Sequence, residues 1–113
     1  MIKKIILITI ITFITFGVIA CSSNSGEALI DTARNGDLET AKLLIENGTD
    51  INANDKDGVT ALMNASKEGN LEIVKYLVEK GANVNIKDNH GRTALDLAET
   101  EEIKKVLRKV GAK

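Results

Sequence analysis

Asp55-Lys56-Asp57-Gly58-Val59-Thr60-Ala61-Leu62 is written a second time, 33 residues on, as Asp88-Asn89-His90-Gly91-Arg92-Thr93-Ala94-Leu95. The same shift lays Gly36–Asp55 over Gly69–Asp88 with 9 identities in 20 positions, among them Gly36/Gly69, Leu38/Leu71, Glu39/Glu72, Lys42/Lys75, Gly48/Gly81 and Asn52/Asn85. A fixed period of this length marks a stacked architecture, because each unit is one supersecondary element too small to bury its own apolar face.

Each unit reads as a turn followed by two short helices. Asp55-Lys56-Asp57-Gly58 and Asp88-Asn89-His90-Gly91 are tight-turn sequences, with aspartate to bond the local backbone and glycine to take positive φ. Thr60 and Thr93 can each cap a following helix, and the pattern predicts helices over Thr60–Glu68 and Thr93–Thr100. Gly69-Asn70 interrupts the first of these and permits a second helix, Leu71–Lys80, which Gly81 stops. Leu71, Val74, Leu77 and Val78 recur at helical spacing and make one apolar face; Leu38, Ala41, Leu44 and Ile45 repeat that face in the preceding unit.

With these residues in view, the chain resembles the ankyrin repeat family. That family's D-x-x-G-x-T-P-L-H turn and helix, its G-x-L-E-x-V-K-x-L-L second helix and its G-A-D-V-N return are matched almost throughout Asp55–Asn85. The resemblance implies an all-α ankyrin repeat solenoid of helix-turn-helix units linked by β-hairpin-like turns, over residues 27–113, with units of about 27–54, 55–87 and 88–113. Two positions depart from the pattern. Ala61 and Ala94 stand where the family has proline, and Met63 and Asp96 stand where it has histidine. Loss of the histidine's hydrogen bond predicts less rigid turns.

The ends of the array differ from its middle. In the third unit the second helix aligns at a shift of 30 rather than 33, so its inter-helix loop is shorter by three residues. Glu101, Lys104 and Arg108 replace Leu71, Val74 and Val78, while Thr40 in the first unit replaces Ile73 and Ile103. Polar outer faces are what capping repeats require. A complete three-unit stack is expected, close to the minimum for independent stability.

Outside the repeats, Val18-Ile19-Ala20-Cys21 ends an apolar run, Ile5–Ala20, that follows Lys3 and Lys4. Cys21 is the only cysteine. The segment has the anatomy of an export signal, and its final tetrapeptide resembles a bacterial lipobox. That resemblance implies a signal peptide over residues 1–20, a diacylglycerol on the Cys21 sulfur, cleavage after Ala20, and a lipidated residue and short linker over residues 21–26. A transmembrane helix needs about 20 apolar residues and this run supplies 16, so an uncleaved anchor is the lesser alternative. Both readings place the remainder outside the cytoplasm. In enterobacterial sorting an aspartate after the lipidated cysteine favours the inner membrane; Ser22 stands there instead, which leans toward the outer one.

Composition narrows the function classes. Without residues 1–20 the chain holds 13 basic side chains against 16 acidic ones, and the side-chain balance moves from −1 to −3. Nucleic-acid binding needs a basic face, and single strands add aromatic platforms, whereas Tyr76 is the only aromatic beyond the signal. Catalysis needs a poised group with an orienting partner, and the lone His90 sits at a turn tip. No enzyme, metal site or cofactor is expected. The glycine of Asp50–Gly58 is out of register for a calcium loop. Asn47-Gly48-Thr49 and Asn64-Ala65-Ser66 match a glycosylation sequon too short to carry weight.

Binding is the expected function, by a monomer tethered through lipid to a bacterial envelope membrane and docking an unidentified membrane-proximal protein. An inhibitor or immunity-type protein against an envelope enzyme or toxin is the alternative. Ankyrin-like proteins commonly use their turn tips and the exposed side of their first helices. Carried onto this sequence, those positions are Lys56, Asp57 and Val59 in the second unit and Asn89, His90 and Arg92 in the third. Arg34, Asn35, Lys67 and Glu68 join them at the helix ends.

Overall fold

The structure, a computed structural model, describes residues 25–112. Six helices follow one another there: α1 Ser25–Asn35, α2 Leu38–Glu46, α3 Ala61–Lys67, α4 Leu71–Glu79, α5 Ala94–Leu97 and α6 Glu101–Lys109. The first helices of the units stack as α1, α3 and α5, the second helices as α2, α4 and α6, and each unit's own pair packs together. The all-α repeat expected from the sequence is what forms. Among the described residues its hairpin-like element is a single antiparallel bridge between Asn54 and Thr60.

The helix starts follow from their caps. Thr60 Oγ1 accepts from Met63 N, Thr100 Oγ1 from Ile103 N, and Asp37 Oδ1 from Thr40 N. Each satisfies one backbone donor that a helix start leaves open. Asp96 corrects a sequence expectation. Its carboxylate accepts from both the backbone N and the hydroxyl of Thr93, while Thr93 Oγ1 accepts from Asp96 N. This closed capping box replaces the lost histidine bond with another. In the second unit Met63 instead enters the core at 1% exposure.

A second correction concerns helix length. Thr93–Thr100 is not one helix; α5 has four residues, and Ala98 turns extended at φ −63, ψ 128. The three-residue deletion is the cause. The chain must pass directly to the Thr100 cap of α6, and Glu99 N reaches across to the Ser66 carbonyl at 3.4 Å. At the other end, α1 already includes Ser25 and Gly26, the last two residues of the stretch read as linker. Cys21 and the signal segment lie outside the described residues.

The core runs along the stack: Leu29, Ile30 and Ala33 in α1, Leu62, Met63 and Ala65 in α3, Ile73, Val74 and Leu77 in α4, Ile103 and Leu107 in α6. Ile73 and Ile103 are almost wholly buried because a preceding unit covers them; Thr40, with no preceding unit among the described residues, is half-buried with its hydroxyl bonded to Asp37. In the outermost unit Glu101 and Arg108 are exposed as the capping argument requires, and Lys104 pairs with Glu101 at 3.3 Å.

Asparagines tie the units together. Asn64 Nδ2 donates to the Ile30 carbonyl at 3.3 Å, Asn70 Nδ2 to the Ala33 carbonyl at 2.7 Å, and Asn52 Oδ1 accepts from Asn83 N at 2.8 Å. In the first unit the positions of Asn64 and Asn70 are Asp31 and Asp37. A carboxylate cannot donate such a bond, so the first unit lacks the donors with which the second unit holds its neighbour.

Candidate partner-binding surface

Two aspartates build the turn tips in the same way. Asp55 Oδ1 accepts from the backbone N of Asp57 and Val59, and Asp88 Oδ1 from the backbone N of His90 and Arg92, at 2.8–3.0 Å. Backbone bonds close each loop, Asp55 N to Val59 O and Asp88 N to Arg92 O. The turns then join: Asn89 N donates to the Asp57 carbonyl at 2.9 Å and Asn89 Nδ2 to the Lys56 carbonyl at 3.0 Å.

The expected contact residues therefore fall into two groups. Lys56, Asp57, Asn89, His90 and Arg92 form one row of tips, all exposed, with Val59 half-buried behind them. Asn35 and Glu68 lie at the far ends of the first helices, beside inter-helix loops that pack on each other where Gly36 meets Asn70. The 11 residues of α1 separate the two edges by about 15 Å. Lys67 is exposed in the last turn of α3. Arg34, in the last turn of α1, is linked to the tips by an open hollow of about 270 Å³ that runs along the helix past Glu27, Ile30 and Asp31 to Asp55 and Lys56.

Not every tip residue is free to meet a partner. Asn89 holds the two turns in register. The Arg92 guanidinium is engaged by Asp88, with Nε and Nη2 each 2.9 Å from Oδ2. Lys56, Asp57 and His90 are the outward groups of the row. Arg34 pairs with Asp31 at 3.4 Å, both well exposed, an arrangement that contributes little and exchanges easily. Tyr76, the one aromatic available, sits on α4 with Lys42 and Lys80 ammonium groups 5.9 and 5.7 Å from its ring centre. Its ring is covered by these two lysines, while its buried hydroxyl has no hydrogen-bond partner.

Asp88 couples this surface to pH. The backbone N–H of Arg92, then that of His90 and the Arg92 side chain, hold its carboxyl below the ordinary value of 3.8 despite its burial. A carboxyl depressed in the folded state stabilises above its unfolded pKa, and that contribution disappears as pH falls through the folded pKa. The Asp88→Asn variant should therefore be less stable than the parent at pH 7, with the gap narrowing below about pH 4. Urea unfolding at pH 7 and pH 3 measures it; a gap independent of pH would mean that the Asp88 charge is not what stabilises the turn.

Sequence reasoning missed the hollow's acidic wall, Glu27 and Asp31, and the asparagine rungs. Asn64 and Asn70 carried a signal, polar amides inside an apolar helical pattern. Asn64 is 8% exposed and Ser66 fully buried, so that sequon is closed. Among the described residues no cluster of three metal-ligating side chains occurs, and no helix is long and apolar enough to cross a membrane.

A family model of ankyrin repeats, in three copies, matches residues 29–113. A comparison with curated proteins found no match.

Proposed function

We propose, from the premise that this chain belongs to the ankyrin repeat family, that it is a protein-binding module tethered by lipid on Cys21 to the outer side of a bacterial membrane. Ankyrin repeats generally act by binding other proteins, and the family is typically non-catalytic. The observation that carries the reading is the row of turn tips, locked together by Asn89 and presenting Lys56, Asp57 and His90 to solvent. A rigid row costs a partner little ordering entropy. Its mixed charge suits a protein surface that is itself mixed, and the lack of a free aromatic anchor suits modest affinity. The tether is supported by the lipobox-like Val18–Cys21 and the apolar run before it.

Two linked measurements test this. Cys21→Ser should move the protein from the membrane fraction to the soluble one; retention in the membrane would remove the lipid tether from the reading. In-cell crosslinking of the full-length protein should capture one predominant protein, lost when Lys56→Ala and His90→Ala are combined. Equal capture by both forms would place the interface elsewhere.

A further inference from the structure

If Cys21 carries the lipid tether proposed for it, the tether and the turn tips meet at one edge of the stack. Only Ser22, Ser23 and Asn24 lie between Cys21 and Ser25, the first described residue and already helical, and four Cα steps span at most about 14 Å. Gly26 shows which part of the second unit the first described turn of α1 lies against. A Cβ placed on it would lie 2.8 Å from Ala53 Cβ, so this first turn of α1 is pressed against the loop that leads into the second unit's turn. The same helix then forms one wall of the hollow whose other wall is Asp55 and Lys56. The inter-helix edge, where Asn35 and Glu68 lie, is about 15 Å further along α1.

We propose that the turn-tip edge is held facing the membrane that carries the Cys21 lipid, and that its occupant is the exposed part of a protein embedded in that same bilayer. Two physical arguments select this occupant. A tether of at most about 14 Å keeps the start of this edge close to the bilayer, where the nearest protein surfaces are those of proteins embedded in it. Loops or short ectodomains that rise from the bilayer are such surfaces. The lipid surface itself is disfavoured by charge. Recognition of anionic headgroups uses clusters of about four to eight basic residues, whereas the edge near the tether sets Glu27, Asp31, Asp55 and Asp57 against Arg34 and Lys56.

The test uses the full-length protein in its native membrane, with Lys56→p-benzoylphenylalanine and His90→p-benzoylphenylalanine on the tip edge and Glu68→p-benzoylphenylalanine on the opposite edge. On illumination, the first two variants should give adducts with protein chains that contain membrane-spanning segments, at several-fold higher yield than the third. Adducts to lipid alone, adducts to soluble chains, no adducts, or equal yields from position 68 would each overturn the proposal. The mass of the mature N-terminus and the membrane fraction are measured on the same samples. A protein lacking lipid and released from the membrane overturns the tethered reading and this inference together; an anchored protein that crosslinks only through position 68 overturns this inference alone.

Discussion

Leu77→Ala should unfold much of this protein at physiological temperature. Leu77 is wholly buried in α4, the second helix of the central unit, which packs on α2 on one side and α6 on the other. Removing three buried carbons there costs about 2–5 kcal/mol, the lost transfer energy plus the cavity left behind. A domain of this size has a total stability of about 5–13 kcal/mol, and each kcal/mol moves the midpoint of a small domain by about 4–8 °C. A fall of roughly 10 °C or more is therefore expected in thermal unfolding followed by circular dichroism. The lesion is severe for a second reason. In a stack of three, the middle unit supplies both nearest-neighbour interfaces, so neither end is left with a partner. Leu43→Ala is the control: Leu43 is 59% exposed, and its truncation should fall within about 0.5 kcal/mol of the parent. Similar losses from the two variants would mean that α4 is not the core element described.

Gly58→Ala should cost more than Gly91→Ala, although the two glycines occupy equivalent turns with φ of +80 and +77. The left-handed conformation alone costs an L-residue about 1–2 kcal/mol, and both variants suffer it. Only at position 58 is the space beside the glycine filled. A Cβ there would lie 2.9 Å from Asn89 Oδ1, 3.0 Å from Asn89 N and 3.1 Å from Asp88 Cα, whereas at Gly91 nothing lies within 4 Å. The third unit's turn must shift, and the two hydrogen bonds from Asn89 to the Lys56 and Asp57 carbonyls stretch or break. Each is worth about 1 kcal/mol net, so Gly58→Ala should exceed Gly91→Ala by about 1–2 kcal/mol in urea unfolding. It should also weaken partner capture, since it misaligns Lys56 and His90. Equal losses would show that the turns are not in contact.

The difference between these two glycines illustrates how far the sequence could be read. Both were legible as positive-φ turn residues, because the aspartate three residues earlier and the threonine cap two residues later occur in each copy. That one of them touches the next unit was not legible, since the contact is made by Asn89, a full repeat away along the chain. The same holds for Asn64 and Asn70, whose partners are backbone carbonyls 34 and 37 residues away. Arg92 was expected as a free contact residue, yet the pairing that engages it is local, with Asp88 four positions before. Position alone did not say whether the arginine would turn inward to its own aspartate or outward to solvent.

By itself the sequence determined the fold class, the number of units and the threonine caps of the first helices. Those follow from periodicity and from local backbone chemistry, which act over a few residues and are repeated in each unit. The tertiary structure alone decided which tip residues are free and which hold the turns in register, that α5 is a single turn, and that the first helix starts against the turn-tip edge. The register of the turns and the contact at the first helix depend on how one unit lies on the next, while the short α5 and the engaged Arg92 depend on side-chain and loop geometry within their own unit. Packing distances between units are set by side chains a whole repeat apart, and no local pattern records them.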